Sequence, residues 1–178
     1  MSIAINYETG GNSDTPIGDL GTDEYNEAMS FTTVDAIVVP FVDLYIRKVN
    51  SITDPISFRL ETNAAGPTPS GTLVAANATA SASPSNTSYD WVRFTLAANI
   101  SLAAATKYWI KVTVPAGQAT NDHYDWQRNS PSGTYADGGE ATQVNLGAWG
   151  NEGAGDDCYF RVYKVDPVTG NTGYAFVI

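Results

Sequence analysis

Ser88-Tyr89-Asp90-Trp91-Val92-Arg93-Phe94-Thr95-Leu96 alternates apolar and polar side chains, the period of a β-strand with one buried face. Val92, Phe94 and Leu96 share the face that points into a core, while Trp91 lies on the other face with Arg93 and Thr95. Thr106-Lys107-Tyr108-Trp109-Ile110-Lys111-Val112-Thr113-Val114 repeats the pattern. Its inward set is Tyr108, Ile110, Val112 and Val114, and Trp109 keeps company with Lys107, Lys111 and Thr113. A hairpin of these two strands over residues 97–105, in the register that opposes Arg93 to Trp109, also opposes Trp91 to Lys111. Each indole then meets a cation, worth about 0.5–1 kcal/mol per pair at an exposed site. An indole on a polar face is either such a cross-strand packing device or a flat platform for a sugar ring or a protein partner. The pattern leaves both readings open.

Outward from this pair, strand patterns recur at 29–34, 37–49, 56–62, 73–80, 123–128, 142–146, 158–165 and 173–177. The cleanest is Ile56-Ser57-Phe58-Arg59-Leu60-Glu61, with Ile56, Phe58 and Leu60 inward. Pro40 has no N–H to give to a ladder, so it marks a bulge or an edge. Residues 73–81 are alanine-rich and are read as strand because Thr and Ser alternate with Ala. Turn chemistry such as Thr53-Asp54-Pro55, Ser83-Pro84-Ser85-Asn86 and Pro115-Ala116-Gly117 separates the runs. Many short strands with such punctuation and no strong amphipathic helix predict an all-β, antiparallel β-sandwich of jelly-roll type. The expected core centre is Phe58, Leu60, Val92, Phe94, Tyr108, Ile110, Val112, Phe160 and Val162. The sandwich is placed at residues 28–165. Residues 1–27, rich in Gly, Asp, Asn and Thr, are expected to form an irregular arm with one short strand near Ile3–Tyr7, and residues 166–178 a C-terminal tail or strand. Both ends are expected to be ordered by another chain, because neither has enough periodic apolar content to fold alone.

A length of 178 residues suits one domain with a good core and is short for two. The formal net charge of -10 repels a phosphate backbone, so nucleic acid is excluded as a partner. With one cysteine, Cys158, the chain makes no internal disulfide and no multi-thiolate metal site. Its phase with Phe160 and Val162 makes Cys158 a small core residue. The opening Met1-Ser2-Ile3-Ala4-Ile5-Asn6-Tyr7-Glu8 has neither a basic leader nor an apolar run. No signal peptide or membrane insertion is therefore expected.

A second aromatic group, Tyr124, Trp126, Tyr135 and Trp149, is interleaved with Asp122, His123, Asp125, Arg128, Asp137 and Glu140. Aromatic faces edged by carboxylates and amides are what a sugar site needs, since C–H faces stack and hydroxyls take hydrogen bonds. The alternative is plain packing: Tyr124 and Trp126 inward on a short strand, and Trp149 under a glycine loop. Asp156-Asp157, with Glu8 or Asp14, offers hard oxygen ligands for a structural calcium, although no spaced calcium loop is present. Solvated turn aspartates are the competing reading. One histidine, His123, and no Gly-x-Ser-x-Gly, His-Glu-x-x-His or phosphate-loop motif give no catalytic constellation. The chain is read as a non-enzyme without a cofactor.

Ala28-Met29-Ser30-Phe31-Thr32, residues 42–49, Pro69-Ser70-Gly71-Thr72-Leu73-Val74-Ala75, residues 89–94, residues 102–109 and Gly155-Asp156-Asp157-Cys158-Tyr159-Phe160-Arg161-Val162-Tyr163 together carry a resemblance. They resemble a β-sandwich module that recurs in phage virion proteins and in bacterial surface and secreted proteins, where it looks like a carbohydrate-binding jelly roll. The resemblance spans residues 28–165 and carries no functional residue across. The start without a leader, the Gly/Asp-rich arm able to order on a neighbour and the apolar end Tyr174-Ala175-Phe176-Val177-Ile178 lead to the expectation of a virion structural protein, such as a capsid decoration, head-fibre or tail accessory protein, that docks to a protein shell or to copies of itself. A carbohydrate-binding adhesion module on a cell or virion surface, acting through the aromatic loops, is the competing expectation. In either case the expected location is the virion or the extracellular surface, and the candidate contact residues are Trp91, Trp109, Tyr124, Trp126, Tyr135 and Trp149.

Overall fold

The computed structural model describes residues 1–115, 121–131, 133–153 and 155–166. In chain order the strands are β1 (Ser2–Tyr7), β2 (Ser13–Leu20), β3 (Asp23–Thr32), β4 (Ile37–Val49), β5 (Ile56–Asn63), β6 (Pro69–Leu73) and β7 (Thr79–Ala82). They continue as β8 (Asp90–Leu102), β9 (Lys107–Thr113), β10 (His123–Asn129), β11 (Glu140–Val144), β12 (Trp149–Gly153), β13 (Asp157–Cys158) and β14 (Phe160–Lys164). Every pairing between them is antiparallel.

The strands form one continuous sheet that folds back on itself into a sandwich. One layer runs β5-β9-β3-β11-β12, with β6 and β7 on the far edge of β5. The other runs β8-β4-β14-β1. At one end β10 pairs with residues 46–49 of β4 and also with β2, and β2 turns directly into β3, so the corner needs no separate linker. Side chains from the two inner faces meet in between. Phe58 of β5 stacks on Phe94 of β8 with ring centroids 5.2 Å apart, and Phe31 of β3 lies 6.0 Å from Phe160 of β14. Phe58, Leu60, Phe94, Tyr108, Ile110, Val112, Phe160 and Val162 are all buried, as the alternation predicts, and Val92 is half-buried at the rim of the same core. Cys158 is buried among them. The ladder between β4 and β8 slips at Pro40, where pairing passes from Val39 to Phe41 across an irregularity.

Three expectations change. Residues 1–27 are not an irregular arm: the short strand expected near Ile3–Tyr7 is present as β1, paired with β14, but β2 also lies between β10 and β3, and the first part of β3 belongs to these residues as well. Their strand character escapes the periodicity because β2, Ser-Asp-Thr-Pro-Ile-Gly-Asp-Leu, places only Thr15 and Ile17 inward and takes its register from backbone pairing. The alanine-rich run divides into β6, a bent segment and β7, because alanines barely distinguish one face of a sheet from the other. Lastly, β8 and β9 are not a hairpin. β8 continues to Leu102 and pairs with β4, while β9 lies between β3 and β5 in the opposite layer. The short connection crosses the sandwich, held by Thr33, whose N–H donates to the Thr106 carbonyl at 3.1 Å and whose hydroxyl accepts from the Thr106 N–H at 3.3 Å. The expected terminal strand at 173–177 lies outside the described residues.

Candidate functional site

Alternation along β4 turns Phe41, Asp43, Tyr45 and Arg47 outward, and the register sets Asp43 opposite both Arg93 of β8 and Arg161 of β14, and Tyr45 opposite Trp91. The result is an outer face built of alternating arginines and rings. Arg93 donates from Nε and Nη2 to the two oxygens of Asp43, each at 2.9 Å, and its guanidinium lies 3.8 Å from the centre of the Phe41 ring. The Phe41 ring in turn meets Tyr163 at 4.5 Å. Arg161 sits 3.8 Å over Trp91 while its Nε donates to Glu8 at 2.9 Å. Tyr45 packs 4.9 Å from Trp91 and 5.6 Å from Tyr89. Thus Trp91 does face a cation, but that cation is Arg161 rather than Lys111.

The same face ends at Arg47, which donates from Nε to Asp125 at 2.8 Å and from Nη2 to Asp14 at 3.0 Å, the latter also accepting from the Tyr89 hydroxyl. Burial of Asp125 opposes its ionisation, yet hydrogen bonds from His123 and Arg47 outweigh it and hold the carboxyl below its usual value. His123 is correspondingly raised: burial works against its charged form, and the hydrogen bond to Asp125 prevails. The only histidine thus belongs to an ion-pair network. Arg47 and Arg93 keep 37% and 52% of their side-chain surface exposed, so a partner can reach them without unfolding the face.

The outer face of the other layer holds Trp109 and Trp149, which the structure brings together around the small side chains of Ala28 and Ala141. Trp109 is buried and donates from Nε1 to Asn63 at 2.8 Å, so it is a packing residue and not a platform. Trp149 is half-buried, with the Lys111 ammonium 5.3 Å from its ring. Burial lowers the Lys111 pKa, only partly countered by Glu61.

The remaining sequence candidates are internal. Tyr124 and Trp126 are buried in the core, the Trp126 Nε1 donating to the Tyr159 carbonyl and the Tyr124 hydroxyl to the Asp54 carbonyl, both at 2.8 Å. Tyr135 packs against Tyr7 and edge-on against Phe160. Asp156 and Asp157 are buried rather than solvated turn residues, and Asp157 accepts from the Tyr135 N–H at 2.8 Å. Glu8 and Asp14, the other calcium ligands considered, are engaged by Arg161 and Arg47. Among the described residues no three His, Cys, Asp or Glu side chains are grouped to hold a metal ion.

One constellation has no counterpart in the sequence reading. Glu27 of β3 and Glu140 of β11 are both fully buried at the end of the core, beside Arg128 of β10. Arg128 Nη1 donates to both oxygens of Glu140 at 2.9 Å, and the Thr142 hydroxyl donates to Glu27 Oε2 at 2.9 Å. Glu27 Oε1 and Arg128 Nε are buried without a partner among the described residues. Burial pushes the Glu27 carboxyl well above its ordinary value, and the Glu140 charge adds to the rise. Burial also raises Glu140, outweighing Arg128. A cavity of about 200 Å³ opens here between Thr15, Tyr25, Glu27, Arg128, Thr142 and Val144.

No protein-family model and no curated protein matches the chain.

Proposed function

We propose that the chain is a non-enzymatic structural module of a larger assembly, a virion decoration, head-fibre or tail accessory protein of jelly-roll type, and that it works by docking on protein. The observation that carries this reading is the outer face of β8-β4-β14-β1. Arg47, Arg93 and Arg161 lie there among Phe41, Tyr45, Tyr89, Trp91 and Tyr163. Arginine, tyrosine and tryptophan are the side chains that dominate binding energy at protein interfaces. Here their rings and guanidinium planes are already fixed by stacking and by Asp43, Asp14 and Glu8, so little side-chain freedom remains to be lost on association. Such a face suits the surface of a virion or a cell.

Trp91→Ala with Arg161→Ala is expected to leave the fold intact, costing about 1 kcal/mol as a lost cation–π pair, while removing self-association or co-sedimentation with the parent particle. Sedimentation velocity of the wild-type and double-variant chains, each alone and with the particle, checks this. A variant that sediments like wild type removes this face from the proposal.

Glycan binding is the second reading, and one observation favours it. Trp149 stands opposite Gln143, and Gln143 opposite Asn26, whose Oδ1 is buried without a partner among the described residues, so an indole and two amides form a row. Against it, the indole already packs on Ala28 and Ala141 under Lys111. Trp149→Ala is therefore expected to lower stability by about 1 kcal/mol with no change on a glycan array. Reproducible Trp149-dependent glycan binding at unchanged melting temperature transfers the protein to the adhesion class.

A further inference from the structure

Glu27 is one of the buried polar side chains that internal packing leaves incomplete, and it lines a cavity. It projects from β3 on the same face as Met29 and Phe31, yet where those two meet hydrophobic neighbours it lines the cavity at the end of the core. Its Oε2 is bound by Thr142, the Thr15 hydroxyl neighbours the same carboxylate, and its Oε1 meets no hydrogen-bond partner among the described residues although the residue is fully buried. Glu140, the nearest acid, has both oxygens on Arg128, so that arginine is committed to compensating one carboxylate of the two. An ionised Glu27 here is a buried charge lacking a cation of its own, a costly arrangement until one is supplied. The rest of the cavity is suited to a short apolar stem: Pro16, Tyr25 and Val144 form its walls together with Arg128, whose guanidinium is engaged by Glu140, and the hydroxyls of Thr15 and Thr142 lie near the acid. At about 200 Å³ the space is below the range of pockets for whole metabolites and comparable to one long side chain.

We infer that this cavity is a socket for an alkylammonium group, a lysine side chain of the docking partner, whose methylenes lie along Pro16, Tyr25 and Val144 and whose ammonium displaces the Thr15 hydroxyl from the Glu27 carboxylate, closed to solvent in the unliganded chain, to donate to Oε1. The inference rests on the docking function proposed above and adds a partner chemistry to it. Charge complementarity favours that source: a chain of net charge -10 attracts basic surfaces and steers them on approach. A free diamine carries the same group and is the competing source.

The test is a titration of the full chain, followed by amide NMR shifts of Thr15, Tyr25 and Thr142. The probes are n-butylammonium chloride, Nα-acetyl-lysine N-methylamide, 1,4-diaminobutane and the neutral control 1-butanol. The two monoamines are expected to bind saturably at this site and butanol not at all, with affinity lost about tenfold or more in Glu27→Gln as a charge-assisted hydrogen bond disappears. Acetylating the side-chain amine of the lysine probe is expected to abolish its binding to the wild-type chain, a control independent of how the variant folds. Equal binding of butanol, equal binding to a folded Glu27→Gln chain, or no saturable shift with either monoamine overturns the socket. Tighter binding of diaminobutane than of the lysine probe overturns the lysine source. Failure of the docking reading shows elsewhere, in the sedimentation of the Trp91→Ala, Arg161→Ala chain, so the two failures are told apart.

Discussion

Phe94→Ala is expected to destabilise the chain by about 3–5 kcal/mol, the cost of a large ring removed from a core that closes only partly over the space. Phe94 is fully buried and lies 5.2 Å from Phe58, the contact through which β8 of one layer touches β5 of the other. Its loss opens a void between two sheets whose backbones are held by ladders on both sides, β8 on β4 and β5 between β9 and the β6 and β7 edge. Such sheets cannot collapse inward as a loop can, which places the effect toward the upper part of the range. Urea unfolding should show a lower midpoint at unchanged slope, and the melting temperature should fall by roughly 10 °C for a chain of this size. Trp91→Ala, on the opposite face of the same strand, should cost far less. A Phe94 loss well under about 1 kcal/mol means that the faces of β8 are inverted.

That face assignment was readable in the sequence because β5, β8 and β9 alternate strictly, and strict alternation with one apolar set admits a single register. Where the pattern weakens, so does the reading. β2 carries Pro16, Gly18 and two aspartates, and its place between β10 and β3 comes from main-chain pairing that leaves no trace in hydropathy. The partner of a strand is also invisible to its own period: Trp91 and Trp109 have equivalent local patterns, yet one strand went to each layer. The aromatic candidates divide for the same reason. Tyr124 and Trp126 became core because, two apart on β10, they share the face turned toward the core, while Trp91 stayed outside because β4 and β14 supply arginines and rings to the same surface. The acid pair was missed although a signal existed. Glu27 stands in phase with Met29 and Phe31, and Arg128 with Trp126, so both carry inward parity. Starting the strand at Met29 instead of Asp23 hid that parity.

Arg128→Met is the other change with a large expected effect, about 3–5 kcal/mol at pH 7.5, because it leaves Glu140 and Glu27 buried together without their cation. The loss should depend on pH with a sign that a simple packing defect does not have. Both carboxyls are raised in the folded chain above the ordinary value of 4.5 that they regain on unfolding. Between that value and the folded pKa the folded state holds protons that the unfolded state releases, so stability falls as pH rises through this window and is highest below it. Without Arg128 the acids lose their one compensating charge and the window widens upward. The deficit of Arg128→Met should accordingly be greatest at neutral pH and shrink as pH falls toward 4.5, where the folded chain holds both protons and the unfolded chain has begun to keep them as well. Glu27→Gln should show the opposite sign: at pH 7.5 it should be as stable as wild type or more so, since the amide keeps the Thr142 hydrogen bond without an uncompensated charge, and its advantage should vanish near pH 4.5. Taking each variant as a difference from wild type cancels Asp125, whose lowered pKa makes acid destabilising. Urea unfolding of the three chains at pH 4.5, 6 and 7.5 measures this. A pH-independent Arg128→Met deficit, or a Glu27→Gln chain less stable than wild type at neutral pH, means that Glu27 is stabilised as a carboxylate by contacts other than Arg128 and that the end of the core is not short of a cation.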